Sequence, residues 1–291
     1  PGAYFYAQGL EIEIDAVDLG PGGEAVQEWA FCARCGHGRN LVAADGLNTC
    51  PRCGAKGLND VAQRLRVVEL DTVSAIARRD EASISDRSDE RRRTRFAVQV
   101  AADLDPAGVA RRWFDDETHF GVTYARDLTI RWLNLGRQSA GGEARIIAGR
   151  EHHAPLFRVC DTCGKQDSQS GGNRPSDHRS WCARRRETRE HTIAVALSRT
   201  LVTQGTFLRL PVGITLGDSL AVPSLAAALM RGLREVMGGD PDHLRVISTI
   251  EPVGDDTTAE SLLVHDAVPG GTGYLAELAD PERMFEQLST A

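Results

Sequence analysis

The segment FRVCDTCGKQDSQSGGNRPSDHRSWCARRR, residues 157–186, organises the reading of this chain. It places Cys160-x-x-Cys163 before a polar, glycine-containing loop and His178-x-x-x-Cys182 after it. Three thiolates and one imidazole at these spacings suit a closed tetrahedral zinc site, with Gly164 closing the first knuckle. The competing reading is a reduced CxxC pair beside an unrelated histidine. Zinc is favoured because four more cysteines lie upstream.

Those four are Cys32-x-x-Cys35 and Cys50-x-x-Cys53, with fourteen residues between the pairs. Gly36 and Gly54 each follow a pair, where a knuckle turn wants a residue tolerant of positive φ. The pattern predicts a zinc ribbon over roughly residues 29–58 and, with the second set, two structural zinc ions. All seven cysteines then belong to metal sites, which fits a reducing cytosol better than a disulfide framework.

The composition of the 291-residue chain, 41 % hydrophobic and 26 % charged, is that of a folded globular protein. With a net charge of -7 the surface as a whole does not attract nucleic acid. The only lysines are Lys56 and Lys165, and the arginine bias reads first as codon usage. Any DNA contact must therefore be local. The arginines flanking the second set (Arg158, Arg179, Arg184, Arg185 and Arg186) would meet phosphates, and Trp181 would stack on a base. The run Arg91 to Arg93 reads as a solvated face. No apolar run nears the roughly 18 residues of a membrane span and no signal peptide is present, so the expected location is cytoplasmic, without a membrane partner. The chain opens at Pro1 directly into a strand-like segment, as a piece of a longer protein would.

Residues 4–17 alternate apolar and polar around Gly9, predicting a hairpin. Strands are expected at 66–73, 94–100, 120–125, 128–135, 206–212, 244–253 and 261–268. Helical spacing is read at 192–202, and a long apolar helix at 219–237 with Pro223 in its first turns. A last helix should start near Gly273. His152 and His153 fall in an expected loop. The fold class is α+β or α/β: a mixed sheet with packed helices, plus a β-rich N-terminal part carrying the ribbon and a second Cys3His knuckle. Two parts are expected: residues 1–150, β-rich with the ribbon inserted, and residues 151–291, with the second zinc site and an α/β domain.

PGGTGY, residues 269–274, joins a strand to that last helix. Gly270, Gly271 and Gly273 would let backbone N–H groups approach an anion, or would simply make a tight turn. His265 and Asp266 sit at the strand end but point to opposite faces. There is no Walker lysine loop, no DEAD- or DEAH-type motif and no GxSxG elbow. Four protein ligands at each zinc site leave no open position for catalysis.

The order LNLG, FRVCDTCG, HRSWC, LSRTLVTQG, LAAALMRGLREVMGGDPDHL and LLVHDAVPGGTGYLAEL resembles the C-terminal zinc-binding region of superfamily 2 DNA helicases of the MrfA type. The DISARM-associated DrmB protein is similar. In that family four cysteines hold zinc, which carries over to Cys160, Cys163 and Cys182. This chain departs at the fourth position, where His178 stands. The resemblance implies an accessory domain of an ATP-dependent DNA helicase in repair or anti-phage defence, binding DNA or a partner without catalysis of its own. It places ATP and Mg in upstream motor lobes, on the same or an associated chain. The alternative is a phosphodiesterase or hydrolase domain using His265, Asp266 and the PGGTG loop.

Overall fold

The computed structural model of the chain describes residues 4–7, 10–42, 46, 48–70, 73–75, 95–141, 144–167, 178–187, 191–215, 220–237, 242–252 and 258–283. In chain order the first strands are β1 (Tyr4–Ala7), β2 (Leu10–Val17), β3 (Val26–Phe31), β4 (Gly38–Asn40), β5 (Arg64–Glu69) and β6 (Val73–Ala75). Next come β7 (Phe96–Leu104), β8 (Val109–Asp115), β9 (Phe120–Arg137), β10 (Ala144–Ile147), β11 (Arg150–His153) and β12 (Phe157–Cys160). The chain continues with β13 (Thr192–Arg209), α1 (Val212–Thr215), α2 (Ala221–Met237), β14 (Leu244–Pro252), β15 (Thr258–Asp266) and α3 (Tyr274–Leu278). The expected mixed sheet is present, with few helices packed on it. The charged run at Arg91 to Arg93 and the turn at Gly9 lie outside the described residues.

A ten-stranded sheet takes strands from both sides of residue 150. Its axis is β13, which pairs antiparallel with β9 along most of its length. On its other side β13 meets β5 parallel near its start and β15 antiparallel near its end, and β12 pairs antiparallel with its first residues. β14 flanks β15, while β3 and β4 extend the sheet from β5. Two smaller sheets, β1–β2–β6 and β10–β11, complete the described strands.

Two expectations are corrected. Residues 192–202 are strand, not helix. Val195 to Ser198 are buried on both faces between β5 and β9, so the apolar run loses its period of two and mimics helical spacing. The β-branched residues Thr192, Ile193, Val195, Thr200 and Val202 favour the pleat. Likewise, the two strands expected at 120–135 are one strand, β9, because β13 pairs along it from Gly121 to Asn134.

Alternation along β13 and β15 builds two cores. Leu208, Leu262 and Val264 face α2, where Val222, Leu229 and Leu233 are buried with them. Phe207 and Leu263 face the other way, onto Ala102, Leu128 and Ile130. Leu229 and Leu233 are four residues apart on one stripe of α2. Pro223 occupies its first turn, where a missing N–H costs nothing. β14 packs against β7 on the second face, and this contact forms one edge of a cleft described below.

Candidate metal centres

Three CxxCG segments fold into the same turn. The N–H of Gly36, Gly54 and Gly164 donates to the carbonyl of Cys32, Cys50 and Cys160 at 2.9, 2.9 and 3.0 Å. The first cysteine of each segment donates its own N–H to the carbonyl of His37, Ala55 and Lys165, closing the loop. The three glycines have φ of 75°, 70° and 63°, as the knuckle reading requires.

Two of these knuckles face each other. Sγ of Cys32 lies 3.6 Å from that of Cys53, and Cys35 is at the same distance from Cys50. A tetrahedron with Zn–S of about 2.3 Å spaces its sulfurs by about 3.8 Å. All four thiols are free and buried. Without a cation they must share protons. The Cys35 thiol, then that of Cys50, holds Cys32 far below the ordinary thiol range, while Cys35 is driven up and Cys50 is raised to about 12. A divalent ion removes that conflict, because coordinated thiols are deprotonated outright. The donor set fits zinc.

The third knuckle is completed by a different element. Cys182 closes a turn through its N–H to the Arg179 carbonyl at 3.0 Å, and residues Ala183–Arg186 form a single 3-10 turn. This brings His178 Nδ1 to 3.7 Å from Cys182 Sγ, 3.9 Å from Cys163 Sγ and 3.1 Å from Cys160 Sγ. Cys160 and Cys182 are 3.8 Å apart. Here burial pushes the Cys160 thiol up to about 12 and raises Cys182 as well. In each set the four donor atoms lie within 4.8 Å of one another. The eight residues expected as ligands are thus brought into two groups of four.

Residues that spacing could not reveal hold the second group in place. Arg179 is 5 % exposed and donates to both carboxylate oxygens of Asp15, at 2.6 and 3.4 Å. Asp15 also sits 3.8 Å from Lys165 Nζ. Val17 donates its N–H to the Gly164 carbonyl, and Gln166 donates its own to the carbonyl of Asp15. The sequence offers no signal for this clasp, since Arg179 and Asp15 are 164 positions apart.

The other arginines differ in fate. Arg158 donates to the Thr192 hydroxyl at 2.7 Å. Arg184 is held by Asp161 and Glu187 at 3.3 and 3.2 Å. Arg185 and Arg186 are exposed, as is Trp181, 69 % open to solvent.

The PGGTGY segment is a turn whose amides are engaged. Val268 N–H donates to Asp266 Oδ1 and Thr272 N–H to Asp266 Oδ2. Gly270 reaches the Val202 carbonyl, Gly271 the Val268 carbonyl and Gly273 the Gln204 side chain. Every N–H from Ala267 to Gly273 has an acceptor within the protein. Burial raises the Asp266 carboxyl, but donation from Thr272 and Val268 outweighs it and holds the group below its usual range. His265, 2 % exposed, turns Nδ1 to the Asp266 carbonyl oxygen at 3.0 Å and stacks edge-on against Trp132. Burial lowers its pKa. His152, expected in a loop, lies in β11, with Nε2 2.9 Å from Gln99 Oε1.

Residues 225–290 match the family model described as the MrfA Zn-binding domain. The chain carries an MrfA-type zinc-binding region. That stretch covers most of α2, β14, β15 and α3, and it follows all seven cysteines. The ligand sets therefore rest on geometry and the MrfA-type assignment on a different part of the chain. Among solved structures, the crystal structure of DUF1998 helicase MrfA bound to DNA aligns at 14 % identity and a TM-score of 0.29, over 67 % of this chain and 20 % of that one. The chain thus spans about a fifth of that protein's length. No curated protein matches. Among the described residues no helix is long and apolar enough to cross a membrane.

Proposed function

We propose that this MrfA-type region is a zinc-stabilised accessory domain of an ATP-dependent DNA helicase, in repair or anti-phage defence. It acts on DNA or a partner surface and leaves catalysis to motor lobes that carry ATP and Mg on the same or an associated chain. The observation that carries the reading is the pair of four-donor sets beside the matched segment. Both sets are complete with protein atoms, which leaves no position for substrate or water on a bound ion. The engaged amides of the PGGTGY turn support a structural role for that loop over the hydrolase alternative.

DNA contact is assigned to Arg185, Arg186 and Trp181, the exposed side chains next to the Cys182 ligand. Fluorescence anisotropy with single-stranded DNA tests this. Two phosphate contacts on a single strand give a log–log salt slope of about -1.4, which Arg185→Ala with Arg186→Ala should abolish while zinc content is unchanged. An unchanged slope in the double variant would remove the DNA assignment. Turnover of nucleotide by this chain alone would remove the non-catalytic one.

A further inference from the structure

Between the ribbon and the end of β7 lies a cleft of about 650 Å³, within the range of about 300–1,000 Å³ usual for small-ligand sites. Arg52, which stands between Cys50 and Cys53, forms one wall; Arg112 of β8 and Glu251 of β14 form others. Arg52 is rigid. Its Nη1 donates to the Ala102 carbonyl at 2.7 Å and the Cys35 carbonyl at 3.4 Å, and its guanidinium lies 6.0 Å from the Phe207 ring centre. Glu251 accepts from the buried Ser261 hydroxyl at 3.0 Å through Oε2. Oε1 has no partner among the described residues, and no ion pair joins Glu251 to Arg52 or Arg112 there. Burial pushes the carboxyl above its ordinary range, against the pull of Arg52 first, then Ser261, Arg112 and Arg209.

The chemistry of the walls narrows the ligand. Asp103 and Asp105 also line the cleft, so its acidic groups offset the two guanidiniums and an anion gains little there. Leu104, Pro51 and Pro252 supply apolar surface for a flat ring. A free carboxylate oxygen across from guanidinium donors matches a neutral heterocycle with N–H donors on one edge and acceptors on another. Among nucleobases guanine has this pattern: N1–H and N2–H suit a carboxylate, while O6 and N7 suit arginine.

We propose that this cleft binds a guanine base, with Glu251 reading the N1–H and N2–H edge and Arg112 or Arg52 the O6 and N7 edge. The inference rests on the DNA-binding reading only for the source of the base, an unpaired residue in a strand instead of a free nucleoside. The recognition chemistry is the same for both.

Calorimetric titration of the zinc-loaded chain with guanosine, inosine and adenosine tests it. Guanosine should bind, inosine should bind several-fold more weakly for lack of the 2-amino group, and adenosine weakest. Glu251→Gln keeps the shape and should weaken guanosine about tenfold with zinc content and melting temperature unchanged. Arg112→Ala should weaken it by a smaller factor. No guanosine binding, equal binding of adenosine, or an unaffected Glu251→Gln variant would overturn the proposal. A second arm compares a dT oligonucleotide with one carrying a single dG. Preference for the dG strand upholds the site with DNA as the source; guanosine binding without that preference upholds it for the free nucleoside. An oligonucleotide bound with the expected salt slope while guanosine is ignored overturns the cleft and leaves the DNA reading standing.

Discussion

At the ribbon two CxxCG knuckles face each other, and their four cysteines are at most 8 % exposed. At the second centre one such knuckle meets a 3-10 turn, and its histidine is only half-buried. The surroundings differ as well. The ribbon closes within one short segment and docks on its neighbours, with Ala148 and Gly149 donating to the carbonyls of Cys32 and Ala33 and Arg52 donating to the Ala102 carbonyl. The second centre joins distant parts of the chain, since β2 bonds to its knuckle and Asp15 grips Arg179 between two of its ligands. One donor group thus sits in a local fold, and the other lies where β2 meets the large sheet.

The comparison breaks most visibly when a ligand is removed. Cys163→Ser should empty the second centre, and zinc binding in such sites is worth on the order of 10 kcal/mol of folding free energy. Elemental analysis should show one site filled instead of both, and amide exchange should accelerate in β2 as well as in β12. Cys35→Ser should release the other ion but raise exchange only around the ribbon and β10–β11. Identical exchange patterns in the two variants would erase the distinction.

Glycine substitution sharpens it further. Gly54→Ala meets open space and costs about 1–2 kcal/mol from the left-handed backbone alone. Gly164→Ala drives the new methyl group into the Val17 carbonyl oxygen, so β2 or the knuckle must move. Roughly 4 kcal/mol or more is expected, read by denaturant unfolding. Removing the clasp itself comes next. Asp15→Ala leaves the buried Arg179 guanidinium without its carboxylate, and because Asp15 is 27 % exposed the loss should be roughly 2–3 kcal/mol. Zinc at the ribbon should be unaffected.

The smallest effect lies outside both centres. Asp266 has a folded-state carboxyl below its ordinary value of 3.8, so its stabilisation is present above that pH and is lost as pH falls through the folded value. Asp266→Asn should cost about 1 kcal/mol at pH 7. The gap from the parent protein should shrink below about pH 4, as followed by thermal melts across pH.

The two groups of four candidate donors were legible in the sequence because a zinc site is short-range chemistry: residue type sets the donor, and CxxC spacing with a glycine sets the turn. The helix at Ala221–Met237 and the strands β14 and β15 were legible for the same local reason, a stripe or an alternation that one buried face imposes. Residues 192–202 were not, since burial on both faces erases the period that separates strand from helix. Tertiary structure alone decided which arginines are free. Arg179 is interior because Asp15 lies against it, whereas Arg185 and Arg186, a few residues on, face solvent. It also decided that the glycines of PGGTGY serve a turn, because the acceptors for the Gly270 and Gly273 amides come from β13, some 70 residues earlier in the chain. Glu251 and Arg52 meet across the cleft only because β14 packs on β7 beside the ribbon. Charge and hydrogen-bonding partners are set by proximity in space, and no spacing within one segment encodes them.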